Sequence, residues 1–488
     1  MYDWDQLFID GKWMAPAGGQ DAAPPVVVHS PHSEKVVGRA VGAGPADVDR
    51  AVEAARAAFD TGPWPRLEPA QRIEAITRLA GIYRERRADM AALISAEIGA
   101  PITFAKMAQV RLPLTMMSAF CTFAADYPWR QDRPGLYGKD IRIVQQPVGV
   151  VAAVVPWNMP QFLTVTKVVP ALLAGCSVVL KPAPESVLDA QLLAELVAAA
   201  DLPPGVFNVL PGGREVGDRL VRHPGVDKVS FTGSTAAGRQ VALGCAEGLK
   251  QVSLELGGKS AAIVLDDADP VVTATGIQMA SLANSGQVCN ALSRILVPHK
   301  RKDEFVDALA AGMESMVIGD PADPATQVGP LVSQRQQQRV RGYIESGRSE
   351  GARLVVGGAA LPDGLQTGWY VRPTLFSDAT NDMRIAREEI FGPVLTVIAY
   401  RDEEEAIRIA NDSEYGLAGS VFTAEVDRGY GIAARVRSGT FGVNEGYLMD
   451  PAAPFGGVKN SGYGRELGIE GIDSYTVSQS ISTASSPA

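Results

Sequence analysis

The chain is poor in the residues that hold metals and cross-links. Its 488 residues include Cys121, Cys176, Cys245 and Cys289 with no CxxC pair, and His29, His32, His223 and His299 with no HExxH run or Cys/His cluster. A disulfide framework, a structural zinc site and metal catalysis are therefore not expected. Positive charge is also short: 45 Lys and Arg against 55 Asp and Glu leave a net charge of −10. That sign opposes general affinity for nucleic acid or anionic membranes. The most apolar window, Val148 to Thr166, is broken by Pro156, Asn158, Pro160 and Gln161 and closed by Lys167. It reads as buried strand and turn, too interrupted for a membrane span. Met1-Tyr2-Asp3-Trp4-Asp5 carries neither the basic nor the apolar region of a secretory signal, so a cytoplasmic protein is expected. The nucleotide fingerprints GxGxxG and GxxxxGK[ST] are missing as well.

What remains is ample material for a core. Hydrophobic residues make up 46% and charged residues 20%, and a prior of about 150 residues per domain gives two or three domains. Strand-like and helix-like segments alternate, the pattern of an α/β protein with largely parallel sheets. Helices are predicted from Pro45, with Val48, Ala51, Val52, Ala55 and Phe59 on one face, and from about Pro69 to Arg86. Val148–Val155 reads as a central strand buried on both faces. Ser177–Leu180 follows, then a helix that Ser186 could cap. Strands at Val206–Leu210, Lys228–Phe231 and Gln251–Leu256 complete a βαβ series that ends at Gly257-Gly258, where a second series begins. Residues 125–147 break this rhythm, and Ser474–Thr483 alternates; the two segments form either an oligomerisation arm or frayed edges.

Among the cysteines, Cys121, Cys176 and Cys245 sit in apolar or small surroundings and read as buried and inert. Cys289 differs, because Asn284-Ser-Gly-Gln-Val-Cys289-Asn surrounds it with small and polar residues. A thiolate there is a candidate nucleophile, and local amides could hold an oxyanion. Glu255 alternates with Leu254 and Leu256 at a strand end, which suits either a solvated glutamate or a desolvated general base. Phe231-Thr-Gly233-Ser234-Thr-Ala-Ala-Gly238 is a strand-to-helix turn able to bind a diphosphate, or an ordinary αβ turn. Lys181 ends an apolar strand and could reach a ribose or phosphate, or be a plain surface lysine.

Taken in order, these elements resemble the aldehyde dehydrogenase superfamily from about Leu7 to Ser480. The matching runs are Pro156-Trp-Asn-Met-Pro160, Lys181-Pro-Ala, Phe231-Thr-Gly-Ser234, Glu255-Leu-Gly-Gly-Lys259 and Gly286-Gln-Val-Cys289. They continue with Glu388-Glu-Ile-Phe-Gly-Pro393, Asn444, and Pro454-Phe-Gly-Gly-Val-Lys459 before Ser461-Gly462. The resemblance implies two Rossmann-type α/β domains plus a β-strand oligomerisation arm. Residues 1–124 and 147–256 would bind the cofactor, 257–470 would carry the chemistry, and 125–146 with 471–488 would form the arm of a homodimer or homotetramer. It implies that Cys289 is the nucleophile, Glu255 the general base, and Asn158 with the Cys289 amide the oxyanion hole. Trp157, Lys181, Gly233, Ser234, Glu389 and Phe391 would line the NAD site. An aldehyde would be oxidised through a thiohemiacetal and thioester to the acid. Alternatives are an acylating relative that hands the thioester to CoA or phosphate, and a non-enzymatic member of the fold.

Three departures from the family pattern bear on detail. Many relatives have Lys-x-x-Glu where this chain has Lys181-Pro-Ala-Pro184 with Glu185 next. In extended backbone Glu185 points to the other face, and no second basic residue stands beside Lys181, so NAD is expected to be preferred and NADP tolerated; a loop that turns at Pro184 would instead aim Glu185 at the ribose and restore strict NAD selection. Thr166 stands where many relatives have an aromatic, which predicts a wider tunnel. Asn290 follows the nucleophile where Cys, Thr or Ala is common. By the same resemblance Met159, Phe162, Leu163, Thr166, Val288, Tyr447, Leu448 and Met449 surround the substrate. None is basic, which predicts a neutral apolar aldehyde, whether aromatic, terpenoid or longer aliphatic.

Overall fold

A computed structural model describes residues 2–19, 23–137, 139–447 and 449–483. Leu448, expected beside the substrate, lies outside them. Two large sheets dominate. The first has the order Phe207–Val209, Ser177–Lys181, Val150–Val154, Lys228–Thr232, Gln251–Glu255, Gly462–Tyr463, and only the last strand is antiparallel. Val150–Ala153 is fully buried at the centre, as a run of valines and alanines covered on both faces must be. Chain order reverses on either side of this strand. Val154 lies opposite Lys181 on one side, and Val151 lies opposite Lys228 on the other. Such a switch point opens a crevice outside the carboxyl ends of the strands.

The second sheet runs Arg353–Val356, Thr374–Ser377, Val394–Tyr400, Arg294–Pro298, Ala261–Val264, Gly419–Phe422, Gly442–Val443, with an antiparallel strand at its first edge. Residues 389–392, 289 and 257–258 lie just before three of its strands, so this sheet presents amino ends to the crevice. The chain then returns to the first sheet at Gly462, ahead of the expected boundary at 470. Arg130–Pro134, Asp140–Pro147 and Thr476–Thr483 pair as a separate three-stranded antiparallel sheet whose residues are mostly exposed.

The helix Pro45–Asp60 buries Val48, Ala51, Val52, Ala55 and Ala58 on the predicted face, and Phe59 packs half-buried beside them. Pro69–Glu85 also forms as predicted. Two local readings need correction. The window closed by Lys167 is strand, turn and then the helix Pro160–Ala174, started by Pro160 at its first position. Lys167 does not end this helix; it is fully buried inside it. Ser186 does precede the helix Val187–Ala199 but makes no capping bond. The carboxylate of Glu97 caps instead, accepting from the amides of Leu188 at 3.1 Å and Asp189 at 3.2 Å.

Candidate active site

A cavity of about 510 Å³ opens between the carboxyl ends of the first sheet and the amino ends of the second. Its first wall is Pro156, Trp157, Asn158, Leu163, Thr232, Gly233, Ser234, Leu256 and Gly257, residues that follow three strands of the first sheet. The helix Thr235–Glu247 starts at this wall, and Ser234 caps it by accepting from the Ala237 amide at 3.3 Å. The opposite wall carries Cys289, Glu389, Phe391 and three residues of the helix Gln334–Ser349: Arg335, Gln336 and Arg339.

Cys289 reaches the cavity because of an unusual turn. Asn284, Ser285 and Gly286 all adopt left-handed backbone, with φ of 49°, 57° and 74°. The Ser285 hydroxyl ties the turn down by donating to Gly329 O at 2.8 Å. Gly286 is required for space as well as conformation, since a Cβ there would lie 2.3 Å from Gly392 O. Asn158 is fixed from both ends. Its carbonyl accepts from Gln109 Nε2 at 3.0 Å and Asn284 Nδ2 at 2.9 Å, while its own Nδ2 donates to Gln287 O at 3.0 Å. One of the two Nδ2 protons is thus engaged and the other remains for a ligand.

Electrostatically the site suppresses charge. Burial, followed by the carboxyls of Glu389 and Glu255, pushes the Cys289 thiol up to about 12. Glu255 is 3% exposed, and among the described residues neither carboxyl oxygen has a hydrogen-bond partner. Burial, then the charge of Glu466, raises it well above the usual carboxyl range. Of the two readings left open by alternation, the solvated glutamate is therefore excluded. Behind Glu255, Glu466 forms a buried ion pair with Lys167. Glu389 is pushed up to about 7, mainly by burial, against the pull of the Gly258 N–H that donates to it at 3.1 Å. Gly257 makes room for this carboxyl, because a Cβ there would lie 2.3 Å from its oxygen. Phe391, itself left-handed at φ 63°, meets Trp157 edge to face with centroids 5.3 Å apart.

Of the expected site residues, the cavity thus gathers Cys289, Asn158, Trp157, Gly233, Ser234, Glu389, Phe391 and Leu163, with buried Glu255 exerting its charge on Cys289. Met159, Phe162 and Val288 are buried in the same apolar cluster, against which Tyr447, Met449 and Cys289 pack. Asn290 supports this region by donating from Nδ2 to Tyr447 O at 3.2 Å. Thr166 departs from expectation. It is 1% exposed and its hydroxyl bonds Glu466 at 3.1 Å and Leu163 O at 3.2 Å, so it belongs to the buried ionic group rather than the cavity wall. Lys181 and Pro184 also lie off that wall. Pro184 starts a single 3₁₀ turn to Ser186, not an extended segment, and this keeps Glu185 close enough for its charge to act on Lys181. Cys121 is half-buried, unlike the fully buried Cys176 and Cys245.

Gln109, Gln287, Lys167, Glu466, Arg335, Gln336 and Arg339 were not identified from sequence. For the arginines a signal existed: Arg335 and Arg339 are four apart in a glutamine-rich helix and so share a face. Lys167 inside an apolar helix was another.

The comparisons with known proteins agree with this geometry. The model of the aldehyde dehydrogenase family matches residues 19–481. The chain is 45% identical to the geranial dehydrogenase of Castellaniella defragrans, over 98% of each chain. Its fold superposes on an aldehyde dehydrogenase of Mycobacterium tuberculosis complexed with NAD+, at a TM-score of 0.96 and 46% identity, covering 98% of both. It also superposes on a mutant of aldehyde dehydrogenase C from Pseudomonas syringae, complexed with NAD+ and octanal, at 0.93 and 41% identity, covering 98% and 96%.

Proposed function

Since the chain belongs to the aldehyde dehydrogenase family, we propose that it oxidises a neutral, apolar aldehyde to the free acid, with Cys289 as nucleophile and NAD+ as acceptor. The observation that carries this reading is the cavity that places Cys289 and the fixed amide of Asn158 on facing walls, with Glu255 buried and unpartnered behind them. The residues fit a dinucleotide. The volume lies in the range of ligand pockets, the capped helix at Ser234 offers amides to a diphosphate, and Trp157 with Phe391 offers apolar ring faces near Cys289. Gly233 and Ser234 would hold the diphosphate and Glu389 the ribose next to the nicotinamide. When bound, NAD+ supplies the acceptor for the hydride that leaves the aldehyde carbon.

The chain's own residues do the rest. Cys289 gives its proton to solvent, its thiolate adds to the carbonyl carbon, and the new oxyanion is held by the free Nδ2 proton of Asn158 and the Cys289 amide. Collapse of this thiohemiacetal leaves a thioester on Cys289. Glu255, whose buried carboxylate has a high proton affinity, takes a proton from water, which attacks the thioester and frees the thiolate and the acid. The apolar cluster of Met159, Phe162, Leu163, Val288, Tyr447 and Met449 carries no charge to pair a substrate carboxylate, and leaving one unpaired is costly. That supports apolar substrates, as do the geranial-oxidising relative and the octanal-bound neighbour.

Residues 1–124 with 147–256 and the returning strand Gly462–Tyr463 are assigned to cofactor binding and 257–461 to catalysis. The exposed sheet of 130–134, 140–147 and 476–483 is assigned as the arm of a homodimer or homotetramer. The test of function is steady NADH formation from geranial, octanal, benzaldehyde and succinic semialdehyde in buffer free of CoA and phosphate. Sustained turnover with an apolar aldehyde preferred by kcat/KM supports the reading. Turnover only after adding CoA or phosphate, or a preference for succinic semialdehyde, overturns it.

A further inference from the structure

The 3₁₀ turn after Ser177–Lys181 gives Glu185 a partner on the other side of the cleft. Arg335 Nη2 lies 3.6 Å from Glu185 Oε1. Arg335 belongs to the first turn of Gln334–Ser349 and lines the cavity, whereas Glu185 belongs to the first sheet's half. The two side chains differ in freedom: Glu185 is 27% exposed and Arg335 86%. Arg339, one helical turn on, is instead pinned, donating to Glu389 O at 2.6 Å and Tyr343 OH at 3.2 Å. Arg335 is therefore a solvent-exposed cation at the cavity rim, held by one ion pair of small worth.

Position gives this pair its meaning. In a doubly wound sheet the acidic group just after the second strand of the first βαβ unit faces the adenosine ribose, and a nearby arginine accommodates a 2′-phosphate. Val150–Val154, Pro160–Ala174 and Ser177–Lys181 are such a unit, and Glu185 follows its second strand. Lys181 is buried beside it at 6% exposure.

Resting on the dinucleotide reading above, we propose that Arg335 is the residue that admits a 2′-phosphate, by leaving Glu185 and pairing with the phosphate across the cleft. With NAD, Glu185 accepts from the ribose hydroxyl and keeps Arg335. With NADP, the guanidinium forks onto the phosphate beside Lys181, and the repulsion from Glu185 is offset by two cations.

The test is calorimetric titration of the full chain with ADP-ribose and 2′-phospho-ADP-ribose, ligands that need no turnover. Arg335→Ala should lower affinity for the phosphorylated ligand about tenfold more than for ADP-ribose. Arg335→Lys should fall between parent and Ala, and Glu185→Gln should move the ratio of affinities the opposite way. If Arg335→Ala weakens both ligands equally, or neither, Arg335 does not discriminate and the proposal fails while the dinucleotide reading stands. If the parent binds neither ligand, the dinucleotide reading fails and the proposal with it.

Discussion

The two walls of the cavity are built by opposite means. The first-sheet wall is made of the regular ends of parallel strands and a capped helix start, and Pro156, Trp157, Asn158, Gly233 and Ser234 reach it without left-handed backbone. The facing wall comes from the amino ends of the second sheet, and there Asn284, Ser285, Gly286 and Phe391 are all left-handed. For the three non-glycine residues such backbone costs on the order of 1–3 kcal/mol each and persists only where surrounding contacts enforce it. Here the enforced turns are those that deliver Cys289 and Phe391. Regular structure thus makes the first wall, and irregular structure brings Cys289 and Phe391 to the second.

Asn158 is the residue that crosses this division, since it sits on the first wall and bonds Gln287 on the second. Asn158→Ala should lower kcat by roughly 10²–10³ through loss of an oxyanion donor. A purely structural role would instead show as lost dinucleotide affinity with kcat retained, which steady-state kinetics separates.

The second wall should also govern thiol reactivity. With its thiol raised to about 12 by burial and two carboxyls, Cys289 is protonated in the resting protein, and its thiolate fraction grows as pH rises toward that value. Alkylation of Cys289 by iodoacetamide, followed by peptide mass spectrometry, should accelerate about tenfold per unit between pH 7 and 9. A plateau near pH 7 would mean that the turn activates the thiol before substrate arrives.

The smallest expected effect tests the cost of the turn itself. Gly286→Ala meets both the left-handed conformation and Gly392 O, and should destabilise the fold by about 1–3 kcal/mol in chemical denaturation. Gly342→Ala lies in the helix Gln334–Ser349 with open space around it, and should stabilise by about 0.5–1 kcal/mol. Equal effects at the two glycines would break the distinction between regular and irregular backbone within the second wall.

The legibility of the sequence follows the same division. Periodicity located the helix Pro45–Asp60 and the buried strand Val150–Val154, because each pattern is written in neighbouring residues. Motifs located Cys289, Glu255 and Asn158, because the family resemblance spans almost the whole chain. What stayed hidden depends on partners distant in sequence. Lys167 and Glu466 meet across 299 positions, and the same carboxyl takes the hydroxyl of Thr166. Extended backbone after Pro182 would turn Glu185 away, but Pro184 begins a 3₁₀ turn, the alternative of the two expectations. Arg335, the cation 3.6 Å from Glu185, comes from the opposite wall and meets it only once both sheets are assembled.

The central claim is that Cys289 carries the acyl group and Glu255 releases it. It is tested most directly by mixing Glu255→Gln protein with NAD+ and octanal, quenching in acid within the first turnovers, and weighing the intact protein and its Cys289 peptide. Glu255→Gln should give a burst of NADH of about one equivalent per site, slow turnover afterwards, and an octanoyl mass increment on Cys289 that the parent does not accumulate. Parental cycling with no increment, or an increment on half-buried Cys121 instead, would contradict it.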